Sequence, residues 1–175
     1  MKKIIHAILN PIRQARRKLR RAYYTAIVRY DAKSYIGPLK INGFCKVTRY
    51  TTLGRNVNMN GMEIVGKGDV NIGDNFHSGV DCKFITEFHN YQGDALPYDK
   101  TMVTKTITIE DNVWLGDRVM VLSGVCIGEG AIIQAGSVVV SNIPKGGIAG
   151  GHPAKVFKYR DMEHYERLKS AQAFY

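Results

Sequence analysis

Several residue types are scarce in this chain of 175 residues, and each shortage argues against a class of protein. Its three cysteines, Cys45, Cys82 and Cys126, form no CxxC pair and leave an odd thiol. This usage favours a reducing cytosol over a secreted disulfide framework. No apolar run is long enough to span a bilayer, and no small-residue cleavage site follows the first one, so neither a membrane span nor a signal peptide is expected.

A period of six residues between Ile107 and Ile143 is the strongest positive signal in the sequence. The first place of each hexad is aliphatic, and these residues are Ile109, Leu115, Val121, Ile127, Ile133 and Val139. The fifth places are small or β-branched and hold Val113, Val119, Val125, Ala131, Ser137 and Ile143. Such hexads are typical of a parallel β-helix, in which each one forms a short strand and a corner. We expect first places to point inward, fifth places to fill the corners, and second-place glycines such as Gly116 to permit tight turns.

Weaker hexads extend the repeat upstream to about residue 36. Their first places are Ile41, Val47, Leu53, Met59, Val65, Ile72, Ser78 and Phe84. The step from Val65 to Ile72 is seven, which predicts one inserted residue near Lys67 and Gly68. Cys45 and Cys82 fall at fifth places and are therefore interpreted as small core residues. The β-helix is predicted to run from about residue 36 to 150.

Two segments interrupt or follow the repeat. Asn90 to Thr106 is polar and breaks the hexad register, and a structureless loop of this length within a compact repeat indicates function. Asp161 to Ala173 has the pattern of a short helix, which we expect to cap the exposed end of the β-helix. The sequence is thus divided into residues 1–35, residues 36–158 with the loop 90–106 inserted, and residues 159–175.

The first thirty residues contain nine Lys or Arg and no acidic residue, which accounts for most of the net charge of +10. Apolar residues at helical spacing predict one or two helices here, because Pro11 would break or start a helix. Three interpretations remain open for this segment. It packs on the rim of the β-helix or on a neighbouring subunit, it lies on an anionic membrane surface, or, least favoured, it binds nucleic acid, for which no other motif is present.

Three stretches resemble the hexapeptide-repeat acyltransferases in their order and spacing: residues 109–116 (IEDNVWLG), 128–140 (GEGAIIQAGSVVV) and 151–156 (GHPAKV). The chain is similar to the branch that contains galactoside, maltose, xenobiotic and surface-polysaccharide O-acetyltransferases. The resemblance implies an all-β, left-handed parallel β-helix, a homotrimer, and acetyl-CoA as the acyl donor without a metal. Cysteine usage predicts a cytoplasmic enzyme, and the membrane interpretation of the basic segment places it at the inner face of the membrane.

The family's general base is a histidine shortly before the long loop, and His89, 25 residues before Trp114, fills that place. A hydroxyl is a poor nucleophile at neutral pH, so a base must take its proton as it attacks the thioester, and imidazole titrates in the right range. A carboxylate is expected to orient His89, with Glu87, Asp81 and Asp94 as open alternatives. His77 is the next histidine to test.

The resemblance also implies positions for the two substrates. Trp114 and Asp117 would lie near the pantetheine of the donor, and Ala135 would offer its backbone. Lys155 and Lys158 match basic positions near the adenosine phosphates. Ser141 stands with Val140 where galactoside-type members have a Thr-Lys pair, and Lys145 is a candidate substitute for the missing lysine. Acceptor contacts are expected from Asn60, Asp81 and Glu87.

The leading hypothesis is acetyl transfer from acetyl-CoA to a hydroxyl or amino group of a sugar, in bacterial surface polysaccharide biosynthesis. A xenobiotic O-acetyltransferase is the alternative within the class. A non-catalytic trimeric scaffold is less favoured, because such a protein would be expected to lose His89. A zinc carbonic anhydrase on the same fold needs three histidines, and His77 and His89 stand twelve residues apart without a near partner.

Overall fold

Short parallel strands wind into a triangular solenoid in the computed structural model, which describes residues 2–175 and the side chains of residues 10–175. Two helices flank it, α1 (Lys2–Asp31) and α2 (Met162–Ser170). The strands are β1 (Ser34–Tyr35), β2 (Leu39–Ile41), β3 (Cys45–Lys46), β4 (Thr51–Leu53), β5 (Val57–Met59), β6 (Met62–Val65), β7 (Val70–Ile72), β8 (His77–Ser78), β9 (Cys82–Ile85), β10 (Glu87–His89), β11 (Met102–Thr104), β12 (Ile107–Ile109), β13 (Trp114–Leu115), β14 (Met120–Leu122), β15 (Cys126–Ile127), β16 (Ile132–Ile133), β17 (Val138–Val139), β18 (Gly147–Gly151) and β19 (Ala154–Tyr159). The predicted fold class, a β-helix with an N-terminal and a short C-terminal helix, is confirmed. The division at residues 35 and 158 stays a prediction.

Successive strands fall on three faces in rotation. Face 1 contains β1, β4, β7, β12 and β15, face 2 contains β2, β5, β8, β13, β16, β18 and β19, and face 3 contains β3, β6, β9, β14 and β17. The chain turns at three corners, which we name 1/2, 2/3 and 3/1 after the faces they join. Each residue is thus assigned to a side of the prism by the strand on which it lies.

Alternate residues of each strand point into the prism and form one continuous core. The first-place residues from Ile109 to Val139 and the fifth-place residues from Val113 to Ile143 are all buried, as predicted, and so are Cys45 and Cys82. One expectation is wrong. Val65 is only partly buried, whereas Ile64 is fully buried and pairs with Phe84. Strand alternation places Ile64 inside the prism. The spacing between inward residues is therefore five from Met59 to Ile64 and eight from Ile64 to Ile72, instead of the regular six.

Second-place glycines are required for a reason other than the tight turn that we predicted. A Cβ on Gly116 would lie 2.5 Å from the backbone nitrogen of Ala135 in the next coil, and one on Gly128 would lie 2.6 Å from that of Lys145. Positive φ angles occur at other corner positions, among them Asn75 and Asn112, with φ of 56° and 60°, and Gly130, with φ of 70°. Close stacking of the coils, and not the backbone conformation, thus selects glycine at these places.

Corner 1/2 is organised by an asparagine ladder and by α2. The side chain of Asn56 donates to Asn75 at 3.0 Å, Asn75 donates to Asn112 at 2.9 Å, and Asn112 donates to the hydroxyl of Tyr165 at 2.8 Å. Tyr165 in turn donates to Glu129 at 2.8 Å. The C-terminal helix is therefore fastened to the side of the prism.

Both ends of the prism differ from expectation. Strand β19 pairs antiparallel with β18 and covers the last coil, so the predicted capping by α2 is wrong. At the other end α1 is one helix that continues through Pro11, so the predicted break there is also wrong. The C-terminal part of α1 packs on the first coil, where Val28 is fully buried and Arg21 donates to Asn42 at 2.8 Å. Neither helix of the described chain is long and apolar enough to cross a membrane.

The inserted segment leaves the prism at corner 3/1, between β9 and β12. Its stem is an antiparallel hairpin in which Glu87, Phe88 and His89 pair with Thr104, Val103 and Met102. The predicted loop 90–106 is thus not wholly structureless, since β11 lies within it. The hairpin carries its tip outward from the prism and places His89 at the end of β10.

Candidate active site

His89 lies exposed at the base of the hairpin tip. Its ring stacks on that of Tyr98, with centroids 4.0 Å apart and planes 14° from parallel. Among the side chains that the structure describes, none hydrogen-bonds to a ring nitrogen of His89. None of the three expected carboxylates is seen to orient His89: Glu87 accepts from the backbone N–H of Lys67 at 3.1 Å, Asp81 lies at another corner, and Asp94 donates its backbone N–H to Asp99.

A network centred on Asp99 holds the tip of the hairpin. One carboxylate oxygen accepts from the backbone N–H of Thr101 at 2.7 Å and from its hydroxyl at 2.5 Å, and the other accepts from the N–H of Asp94 at 3.3 Å. The hydrogen bonds from the side chain and backbone of Thr101 lower the pKa of Asp99 below its usual value, so the carboxylate stays ionised at neutral pH. Asp99 thereby fixes the turn that carries its neighbour Tyr98.

A second group of the predicted site residues shares corner 2/3. Asp117 accepts from the backbone N–H of Val80 at 2.9 Å, and Asn60 donates to the carbonyl of Ser78 at 2.8 Å. Asp81 is largely exposed and lies 4.0 Å from Arg118. Ala135 is also exposed, one coil beyond Asp117. The structure therefore brings Asn60, Asp81, Asp117 and Ala135 to one edge of the prism.

Trp114 stands on the outside of face 2, at the start of β13, and is 54% exposed. Strand register aligns it with Ile132, then Ile148, then Lys158. With strands about 4.8 Å apart, Lys158 lies roughly 14 Å along this column from Trp114. Lys155 lies on β19 as well, where it pairs with Gly150 of β18. An aromatic side chain at one end and lysines at the other suit a long donor with terminal phosphates.

A cleft of ≈ 350 Å³ adjoins Trp114 on face 2, between the prism and the C-terminal residues. His77 is aligned with Trp114 on the neighbouring strand β8 and contacts the ring of Tyr175, with centroids 5.7 Å apart. Partial burial, together with the charge of Lys40, lowers the pKa of His77, which favours its neutral form at pH 7. The sequence indicated His77 only as a second candidate base, because its alignment with Trp114 depends on strand register.

The remaining predicted residues lie elsewhere. Ser141 is exposed at corner 3/1, the corner that carries His89, two coils beyond it. Lys145, the suggested substitute for the missing phosphate-binding lysine, forms ion pairs with Glu129 at 3.3 Å and with Glu166 at 2.7 Å. It therefore serves to attach α2 to corner 1/2.

The predicted residues thus form two groups within one chain. His89, Glu87 and Ser141 are at corner 3/1, whereas Trp114 is on face 2, the side of the triangle opposite that corner. No cluster of three or more potential metal ligands occurs in the described part of the chain. His77 and His89 lie on different sides of the prism, so together they do not form the start of a zinc site.

Tyr98 and Asp99 are the site residues that sequence reasoning missed. Tyr98 follows His89 by nine residues, and no helical or strand period links the two positions. They meet only because the hairpin folds back on itself. A useful signal was the Asp-Lys-Thr run at residues 99–101, since Asp commonly hydrogen-bonds to the backbone two residues later.

Comparisons with known proteins match both the repeat and the fold. Residues 106–141 match the family model described as bacterial transferase hexapeptide (six repeats). The galactoside O-acetyltransferase of Escherichia coli is 34% identical over 117 residues, which are 65% of this chain and 57% of the relative. A 2,3,4,5-tetrahydropyridine-2,6-dicarboxylate N-acetyltransferase of Clostridium perfringens is 47% identical over 61 residues, or 35% of this chain and 26% of the relative. The chain thus spans less than two thirds of the length of these curated relatives.

A hexapeptide-repeat acetyltransferase of Vibrio cholerae has a similar solved structure. It is 26% identical, has a TM-score of 0.63, and the match covers 79% of this chain and 80% of that one. The same protein has been solved in complex with acetyl coenzyme A. The repeat match, the identity to the galactoside enzyme and the shared architecture thus make this chain similar to the hexapeptide-repeat acyltransferases.

Proposed function

We propose that the protein transfers an acetyl group from acetyl-CoA to a hydroxyl or amino group of a saccharide. One observation carries the proposal: the chain has both an exposed His89 at corner 3/1 and, on face 2, an aligned column of residues. These are Trp114, Ile132, Ile148 and Lys158. Relatives include both O- and N-acetyltransferases, and we favour oxygen as the acceptor atom because a hydroxyl needs a base such as His89.

In the proposed reaction, the acceptor oxygen attacks the carbonyl carbon of the thioester while an unprotonated ring nitrogen of His89 takes the hydroxyl proton. The C–O bond forms, and the negative charge moves to the carbonyl oxygen. Collapse of this intermediate breaks the C–S bond, and the imidazolium returns its proton to the leaving thiolate. Proton transfer by a positioned side chain typically contributes 10²–10⁴-fold to such a rate.

The placement of the two groups supports a site between subunits. Because His89 and Trp114 lie on opposite sides of one prism, we propose that corner 3/1 of one chain faces face 2 and corner 2/3 of its neighbour in a homotrimer. Threefold rotation repeats that contact three times and closes the ring. Asn60, Asp81 and Glu87 would then border the acceptor, and Asp117, Ala135, Ser141, Lys155 and Lys158 the donor.

The outer face of α1 supports a location at the cytoplasmic face of an anionic membrane. Ile12, Leu19 and Tyr23 lie on the helix face opposite Val28 and are 61%, 72% and 63% exposed. Basic residues flank this stripe, and the first acidic residue is Asp31. Basic amphipathic helices of this kind lie in the interface of anionic membranes, whereas self-association would bring like charges together. A membrane-bound saccharide intermediate is the acceptor that fits this location.

An acceptor screen with labelled acetyl-CoA tests the proposal. Saccharides, lipid-linked saccharides, amino sugars and hydroxylated antibiotics would be incubated with the enzyme, and label transfer would be compared with thioester hydrolysis in water. We expect transfer to a saccharide well above hydrolysis. Transfer to antibiotics alone would indicate a xenobiotic enzyme, and no transfer to any acceptor would favour a non-catalytic scaffold.

A further inference from the structure

We infer that Tyr98 is the positioning residue of His89, in place of the carboxylate usual for a catalytic histidine. The inference rests on the proposed function in one respect, that His89 is the base. The rings of the two residues are 4.0 Å apart and nearly parallel, with planes 14° from each other. This is a closer and flatter contact than the stacking of Phe88 on Tyr91 in the same hairpin, at 6.2 Å and 25°.

The stacking contact fixes the plane of the imidazole and leaves its edge free. Both ring nitrogens lie on that edge, so an acceptor hydroxyl can reach one of them without displacing Tyr98. A carboxylate would fix the ring by occupying one nitrogen, but no described carboxylate does so. An exposed histidine without either support would sample about three χ1 wells and two χ2 orientations. Tyr98 therefore contributes to the rate by holding the His89 side chain in one of these about six conformations.

The charge change during the reaction favours the same arrangement. When His89 takes the hydroxyl proton, its ring becomes a cation over the face of a phenol ring, and aromatic faces attract cations within about 6 Å of their centroids. Tyr98 is 45% exposed, so this attraction is partly screened by water. The attraction between the two rings adds to the positioning effect only while His89 is protonated.

Asp99 makes Tyr98 able to act in this way. The stack would have little effect if the tip of the hairpin moved freely, but Asp99 ties residues 94, 99 and 101 together through three hydrogen bonds. Backbone bonds from Asn90 to Thr101 and from Asp99 to Asn90, both 3.1 Å, close the same turn. Tyr98 is thus attached at its backbone to the most constrained part of the loop.

Kinetics of Tyr98→Ala, Tyr98→Phe and the matched control Tyr91→Ala test the inference. We expect Tyr98→Ala to lower kcat about tenfold, from the roughly sixfold loss of orientation and the lost attraction, with the KM for acetyl-CoA unchanged. Tyr98→Phe keeps the stacked ring and should stay within about twofold of wild type. Tyr91→Ala removes another exposed tyrosine from the same loop and should leave kcat nearly unchanged.

A double-mutant cycle separates positioning from a direct role of Tyr98. If Tyr98 acts through His89, Tyr98→Ala should have no further effect in a His89→Ala background. The NMR signals of the His89 ring provide a readout that needs no activity, since the ring-current shift from Tyr98 should persist in Tyr98→Phe and vanish in Tyr98→Ala.

Failure of this inference is distinguishable from failure of the proposed function. An inactive His89→Ala enzyme combined with a fully active Tyr98→Ala enzyme would overturn the inference alone. A tenfold loss from Tyr98→Ala that persists in the His89→Ala background would also overturn it, because Tyr98 would then act on the substrate or the fold. A fully active His89→Ala enzyme would overturn the assignment of the base itself.

Discussion

At the scale of single residues, the proposed base, His89, and the proposed donor-binding residue, Trp114, do not contact each other within one chain. His89 is carried by a hairpin outside the repeat, whereas Trp114 belongs to a hexad strand. Substitutions at the two positions should therefore affect different kinetic constants. This separation allows each role to be tested without disturbing the core, since both side chains are exposed.

Replacing His89 with Ala should lower kcat by about 10²–10⁴-fold, the usual contribution of a general base. The KM for acetyl-CoA should change little, because the donor is assigned to face 2. A folded His89→Ala enzyme with wild-type turnover would direct attention to His77, which lies beside Trp114.

Replacing Trp114 with Ala should raise the KM for acetyl-CoA about tenfold or more, equivalent to about 1.4 kcal/mol of lost binding, and affect kcat less. Isothermal titration with CoA provides an independent measure of donor binding. Tyr35→Ala is a suitable control, because Tyr35 is an exposed aromatic residue on face 1. Equal losses of affinity in the two variants would argue against a donor site on face 2.

At the scale of elements, the attachment of α2 depends on one carboxylate. Glu129 is 17% exposed and pairs with Lys145 at 3.3 Å and with Lys169, and it accepts from Tyr165 at 2.8 Å. Burial alone would raise its pKa, but the hydrogen bonds from Lys169, Tyr165 and Lys145 outweigh burial and leave the pKa of Glu129 below its usual value of 4.5. The ionised form therefore stabilises the docked helix.

Docking of α2 should weaken in acid as a result. A group whose pKa is lowered by folding contributes stability that is complete above its unfolded pKa and is lost as the pH falls through the folded pKa. Hydrogen exchange of the α2 amides should thus show more frequent opening below about pH 4 than at pH 7, after correction for the intrinsic pH dependence of exchange. Glu129→Gln should open more at pH 7 and lose this acid sensitivity, whereas the exposed Glu163→Gln should behave as wild type.

At the scale of the whole molecule, the proposed site is formed by more than one copy of the chain. Light scattering at micromolar concentration should give three times 19.6 kDa. With acetyl-CoA well below the wild-type KM, a mixture of His89→Ala and Trp114→Ala chains, unfolded and reassembled together, should be more active than either variant alone, since mixed trimers contain sites with both native residues. A stable monomer that turns over substrate, or mixed trimers without regained activity, would contradict the shared site.

Membrane attachment is a second proposed property of the assembly as a whole. Ile12→Glu should reduce sedimentation with vesicles of phosphatidylcholine and phosphatidylglycerol by disrupting the apolar stripe of α1, and binding should fall with added salt. Ile36→Glu is the matched control, because Ile36 is 70% exposed, against 61% for Ile12, but lies beyond α1. Loss of the trimer in Ile12→Glu would show instead that the stripe is a subunit interface.

The sequence by itself determined the repeat, the core and the resemblance to the hexapeptide-repeat acyltransferases. Hexad spacing alone placed the buried residues from Ile109 to Ile143, because inward positions in a β-helix must be apolar in every coil. It misplaced Val65, since a register shift of one residue leaves both Ile64 and Val65 apolar and equally plausible. Handedness came from the resemblance alone, as the general rule for parallel crossovers favours the right-handed form.

Tertiary structure decided which residues meet. The stacking of Tyr98 on His89 depends on a hairpin that folds back over nine residues, and local propensity carries no information about such a contact. The position of α2 on corner 1/2 depends on Glu129, Tyr165 and Asn112, which are far apart in sequence. The separation of His89 from Trp114 depends on the faces to which their strands belong. Each of these is a long-range relation, set by how the coils stack and not by the order of residues within any one of them.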